Sequence, residues 1–163
     1  MTQAAPGGFD PLAFLNNNLS GWSRACGLRY VEASEEQVVA ELQIGEQHLQ
    51  PHGIVHGGVH CGLIETTCSA GAVLCTLRDG RTVVGLDNST SFLRPVRSGT
   101  LRVTATPRVR GRRTHVWEAT VRDEGGVDVA TGRVRMICLE PGAKLAGAKA
   151  EFLPRPEESV EST

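Results

Sequence analysis

Between Gly57 and Leu77 the chain reads GGVHCGLIETTCSAGAVLCTL, twenty-one residues in which Glu65 is the only carboxylate and no Lys or Arg appears. Leu63, Thr67, Ala70, Leu74 and Leu77 recur at three- and four-residue steps, the repeat of an α-helix, so a helix of about five turns is predicted here. A helix so poor in charge offers no face to water and has to be buried. The small residues Gly62, Ser69, Ala70, Gly71 and Ala72 would let a sheet or a second helix come close to its axis.

The flanking sequence supplies strands to cover it. Val38, Ala40, Leu42 and Ile44 alternate with Val39, Glu41 and Gln43, the two-residue period of a half-buried strand, with Gly45 as its end and an earlier strand near Leu28 to Ala33. After residue 80 the alternation returns in Thr82 to Leu93, in Leu101, Val103, Ala105 and Val109, in Trp117, Ala119 and Val121, and in Val127 to Leu139. Asp123 to Gly126 is a hairpin signal, so these four strands are expected in series as an antiparallel meander. The fold class is therefore α+β, a long helix wrapped by a curved antiparallel sheet.

Asp10 followed by Pro11 predicts a short capped helix over residues 11–19. Residues 1–9 are read as a flexible N-terminus, 10–140 as the folded domain, and 141–163, with three prolines and an acidic close, as an extended or disordered tail. Seventeen Lys and Arg against 18 Asp and Glu leave a formal charge of −1, which disfavours a polybasic nucleic-acid binder. No run has the apolar length of a membrane span and no signal peptide is recognisable, so a soluble, cytoplasmic protein without a membrane partner is expected. The five cysteines are odd in number and lack a Cys-x-x-Cys pair, which points to reduced structural thiols.

Chemistry concentrates around the start of the long helix. Gly57 and Gly58 at a helix N-terminus would present free N–H groups to a ligand, and the helix dipole favours negative charge there, the makings of an oxyanion hole. Close packing through a tight turn is the alternative use of two glycines. Glu65, alone in its uncharged helix and with no Lys or Arg between residues 30 and 77, would be costly to bury ionised without a partner. A carboxylate drawn out of water is also a stronger base, and Ser69, four residues on, would share its face to hold it or a water. A Glu facing solvent, or one satisfied by a hydroxyl in a structural role, is the plainer reading. His48, His52, His56 and His60 are each four apart, yet Pro51, Gly53, Gly57 and Gly58 interrupt any helix through them, and no metal site is expected. From Arg94 to Arg113 seven arginines and no acid occur, a stretch suited either to phosphates or to a solvated strand face.

Gln50-Pro51-His52-Gly53-Ile54-Val55-His56-Gly57-Gly58, then Glu65 and Ser69, then Ser91-Phe92-Leu93-Arg94-Pro95-Val96, Gly111-Arg112 and Asp123-Glu124-Gly125 resemble the PaaI-type small hotdog-fold acyl-CoA thioesterases. The resemblance spans about residues 25–140 and implies a long helix wrapped by an antiparallel sheet. It places the acidic residue of the 4-hydroxybenzoyl-CoA thioesterase branch on Glu65 and the carbonyl-polarising N–H on Gly57. It places the neighbouring histidine on His56, the amide side chain on Gln50 and the hydroxyl on Ser69. Gly58, Ser91, Arg94, Arg112 and Arg113 are the substrate-binding candidates, and no cofactor is called for. His60 and Cys61 stand where many relatives carry apolar or smaller residues and are candidates to border the acyl pocket.

The implied activity is hydrolysis of an acyl-CoA thioester to a carboxylic acid and coenzyme A, with Glu65 as nucleophile or general base. A hotdog hydratase-dehydratase using His56 with Glu65, and a non-catalytic acyl-CoA binding module, are the alternatives. Gly57 and Glu65 lie eight residues apart, about 12 Å along a helix axis, too far to act on one carbonyl. Two antiparallel helices across a twofold axis would bring them together, so a homodimer is expected, and the resemblance implies the same pairing, often doubled into a dimer of dimers.

Overall fold

The computed structural model describes residues 8–19 and 21–150. Asp10 caps α1 (Pro11–Asn17), its carboxylate accepting from the Leu12 and Ala13 N–H groups at 2.9 and 3.2 Å, with Pro11 at the first helical position. The helix stops two residues short of the expected Leu19. A second short helix, α2 (Gly21–Ala25), follows it, and no periodicity in five residues could have announced it.

The strands are β1 (Arg29–Ala33), β2 (Val38–Gln43), β3 (Thr82–Phe92), β4 (Thr100–Arg110), β5 (Thr114–Arg122) and β6 (Asp128–Leu139), with α3 (Gly57–Thr76) between β2 and β3. They form one antiparallel sheet in the order β1-β2-β4-β5-β6-β3. The meander expected over four strands is corrected to three. β4, β5 and β6 are joined in series, but β3 pairs with β6 at the far edge. The physical reason lies in residues 93–99, which do not turn back on β3. Leu93 and Arg94 N–H groups still bond the Val129 carbonyl, and Val96 then accepts from Val55, so the segment passes the start of α3 before β4 begins.

The sheet packs its inner face on α3. Leu63, Ile64, Cys68, Ala72 and Leu74 of the helix meet Val38, Ala40, Leu101, Val103, Trp117, Val121 and Met136 of the strands in one core. Thr67 and Thr76 on the buried side donate their hydroxyls to the Leu63 and Ala72 carbonyls, so both threonines go inward with their hydroxyls satisfied. The small residues do what their size suggested. The fully buried Trp117 ring lies against Gly71, and Trp22 of α2 lies against Gly62. A Cβ at Gly71 would overlap the Trp117 ring, which has no room to retreat. Gly71→Ala should therefore destabilise the fold by about 2 to 3 kcal/mol and lower Tm by about 5 to 10 °C, measured by thermal unfolding; an unchanged Tm would show that the core relaxes there.

Beyond Pro141, where an extended or disordered tail was expected, residues up to 150 make a two-stranded hairpin, β7 (Lys144–Leu145) with β8 (Ala148–Lys149). Leu145 and Ala150 border a hollow with Val73, Leu77 and Val83 at the end of α3. Residues 151–163, and 1–7 of the N-terminus, lie outside the described residues. All five cysteines are free thiols, and burial pushes the Cys68 thiol well up. No helix among the described residues is long and apolar enough to cross a membrane.

Candidate active site

The approach to α3 is built by a short, heavily bonded loop. Gln50 N–H donates to the Ile54 carbonyl and Gly53 N–H to the Gln50 carbonyl at 2.9 and 2.8 Å, a turn closed with Gly53 at φ +70, a conformation that favours glycine. Arg97 reaches over it and donates to the His52 and Gly53 carbonyls at 2.8 and 3.0 Å. His48 stands beneath as a strut: buried, it accepts from Gly45 N–H at Nδ1, donates to the Cys26 carbonyl at Nε2, and its carbonyl receives the His56 N–H. Gln50 is thereby fixed beside the first turn of α3, with its own Oε1 taken by the His52 N–H.

His56 is the N-cap. Its Nδ1 accepts from Gly58 N–H at 2.8 Å, so the ring hydrogen sits on Nε2 and the Gly58 donor is already used. Gly57 N–H has no acceptor in the described chain and points out at the positive end of a twenty-residue helix. The Phe92 ring of β3 lies so close over Gly57 that a Cβ there would meet its edge at 2.7 Å. A side chain at position 57 would have to push the exposed Phe92 ring aside. Around these groups is a hollow of about 380 Å³ lined by Gln50, Ile54, Gly57, His60, Phe92 and Arg94. His60 is buried, its Nδ1 lacks a partner, and desolvation lowers its pKa.

Glu65 and Ser69 line a different hollow, of about 270 Å³, whose other walls include Leu15 and Leu19 near the N-terminus, Tyr30 of β1 and Val73 of α3. Among the described residues none borders both hollows. Glu65 is half-buried, and its partner is neither a cation nor Ser69. Asn88 of β3 donates its side-chain amide to Glu65 Oε2 at 3.1 Å, while Oε1 packs on Gly85, where the strand bulges and no side chain intervenes. A neutral donor satisfies the carboxylate without cancelling its charge.

The other candidates are dispersed. Ser91 points to the outer sheet face with Ser89, Glu118 and Thr131. Arg112 and Arg113 sit on the β4–β5 turn, held by Arg81 donating to the Arg112 carbonyl and by Cys138 N–H donating to the Arg113 carbonyl, near the other end of α3. Within the arginine stretch, Arg102 bonds Glu32 and Glu41, Arg108 bonds Glu118 and Arg110 bonds Glu36, so much of it is a paired strand face. Arg94 alone of the substrate-binding arginines borders a candidate hollow.

Residues 52–130 match the thioesterase superfamily. The proofreading thioesterase EntH of Cronobacter turicensis is 34% identical over 108 residues, 66% of this chain and 78% of that protein. The chain belongs to the thioesterase superfamily. Thioesterase HI1161 from Haemophilus influenzae superposes with a TM-score of 0.75 at 34% identity, covering 79% of this chain and 90% of that one. AziG of S. sahachiroi gives 0.72 at 39% identity, covering 75% and 98%. The helix-in-sheet architecture is thus the hotdog fold, and the family supports thioester hydrolysis as the reaction. Two features of this thioesterase escaped sequence reasoning. Asn88, Thr90 and Phe92 share the helix-facing phase of β3, a phase that simple alternation from Val83 would assign to Asp87, Ser89 and Ser91, because the bulge between Gly85 and Asp87 shifts it. The walls that α1 and its following residues give the second hollow had no local signal.

Proposed function

We propose that this thioesterase hydrolyses an acyl-CoA to the free carboxylic acid and coenzyme A at a site completed by a second copy of the chain. The observation that carries the reading is the division of one helix between two open hollows. One holds the free Gly57 N–H, Gln50 and Arg94; the other holds Glu65 and Ser69 among apolar walls. Joined across a twofold axis, they give a thioester carbonyl an oxyanion donor on one side and a carboxylate on the other. Glu65 attacks the carbonyl carbon or takes a proton from a water that does so, and the thiolate of coenzyme A leaves without needing a strong acid. The charges orient the substrate. Arg94 draws the anionic coenzyme towards the Gly57 hollow, and the acyl group enters the apolar one behind Glu65.

With Gly57 opposite the partner's Glu65, the far end of the partner helix falls about 18 Å beyond the carbonyl along the axis, on the Arg94 side. That is the scale of an extended pantetheine arm, and it brings the partner's Arg112 and Arg113 within reach of the coenzyme phosphates. Thiol release measured over aryl and aliphatic acyl-CoAs tests the reaction itself; binding without release by every member would overturn it. Charge reversal at Arg112 or Arg113 should raise KM for acyl-CoA at least about fivefold more than for the matching pantetheine thioester, and added salt should imitate it. Equal effects on both substrates would remove these arginines from phosphate binding.

A further inference from the structure

Glu65 is the one carboxylate of α3, and a carboxylate that must meet a substrate in a single orientation needs its torsions fixed by something other than the substrate. β3 supplies that fixture. Asn88 Nδ2 donates to Glu65 Oε2 and to the Cys61 carbonyl, both at 3.1 Å, and the Thr90 hydroxyl donates to Asn88 Oδ1 at 2.7 Å. The Cys61 carbonyl can only accept, which fixes the amide with nitrogen towards α3 irrespective of Glu65. Thr90 then occupies the amide oxygen and opposes a flip. The network thus addresses Glu65 with a donor only. One lone pair is engaged, and the remaining acceptor sites stay free for substrate or water. Gly85 completes the cradle: its missing side chain lets Oε1 rest on the strand, and the bulge between Gly85 and Asp87 carries the strand around that contact.

We infer that Asn88, locked by Thr90, is a positioning residue that holds Glu65 in its reactive orientation, an inference resting on the catalytic role proposed above for Glu65. Asn88→Leu keeps the side chain's branched outline and removes the donor. With benzoyl-CoA and hexanoyl-CoA as probes and thiol release as readout, it should lower kcat about tenfold or more while KM stays within about twofold. The same change in a Glu65→Gln background should alter kcat by less than about twofold, because a residue that acts through Glu65 has nothing left to position. Thr90→Val should lower kcat about threefold or more and Thr90→Ser, which restores the hydroxyl, should return it to within about twofold of the parent; this pair serves even where Asn88→Leu does not fold. Parental kcat in Asn88→Leu, equal losses in both backgrounds, or no difference between the two Thr90 variants would overturn the positioning role alone. Parental turnover in Glu65→Gln would overturn it together with the catalytic reading on which it rests.

Discussion

Glu65→Gln should lower kcat for acyl-CoA hydrolysis at least about a hundredfold while KM stays within a few-fold of the parent. The substitution is close to a single-atom change. A Gln oxygen can still accept from Asn88, whose nitrogen is oriented by the Cys61 carbonyl, so the side chain should keep its place against Gly85. What it loses is the charge and the ability to take a proton or attack a carbonyl. An amide is neither a useful base nor a useful nucleophile at neutral pH, and no second carboxylate among the described residues borders this hollow to take over. Acyl-CoA affinity should survive because the proposed binding rests on apolar walls and on arginines remote from the carboxylate. Unfolding by heat should show little change in Tm, since Glu65 is half-buried and its side-chain hydrogen bond to Asn88 is preserved. Near-parental hydrolysis by the folded variant would remove Glu65 from the chemistry.

How far the sequence reveals this arrangement depends on whether the determining contacts are local. The long helix was legible because its burial is dictated by its own composition: twenty-one residues with one carboxylate have only one place to go. The same scarcity of charge singles out Glu65, and two glycines at the helix start single out the Gly57 N–H proposed as the oxyanion donor. The strands of the meander were legible from alternation, and the β5–β6 turn from Asp123 to Gly126, where Gly126 takes φ +79. The place of β3 was not, because strand order is settled by where residues 93–99 travel, and that path is fixed by bonds to Val129 and Val55 from distant segments. The arginine stretch illustrates the same limit from the other side. Read alone it is a phosphate surface, but its acidic partners Glu32, Glu36 and Glu41 come from the first two strands and the turn between them. Those exposed pairs contribute little stability each, typically under about 1 kcal/mol, yet they withdraw Arg102 and Arg110 from any ligand. Asn88 stayed hidden for a third reason. In the polar run from Asp87 to Ser91 nothing distinguishes the residue that faces the helix except its phase, and a bulge at Gly85 displaces that phase.

Mixing a Gln50→Ala chain with a Glu65→Ala chain should restore activity that neither variant has alone. The expectation follows from the separation of the two hollows. Gln50 and Gly57 border one, Glu65 and Ser69 the other, and the eight-residue interval between Gly57 and Glu65 spans about 12 Å of helix axis. Groups acting on one thioester carbonyl stand within roughly 3 to 3.5 Å of their target atoms, so a single chain cannot bring them together by any rotamer change. A second chain can. In an antiparallel pair related by a twofold axis, each Gly57 faces the partner's Glu65, and two equivalent sites arise. A hybrid of the two variants then contains one site with both original groups and one with neither. Its activity should reach up to about half the parental value per dimer, against a few per cent or less for either homodimer. Co-expression with distinct affinity tags allows the hybrid to be isolated and its composition checked before assay. Verified hybrids with no more activity than their parents would place Gln50, Gly57, Glu65 and Ser69 at work within one chain, which the distances along α3 forbid for a shared carbonyl, and the oxyanion donor would then have to be sought nearer to Glu65 than Gly57.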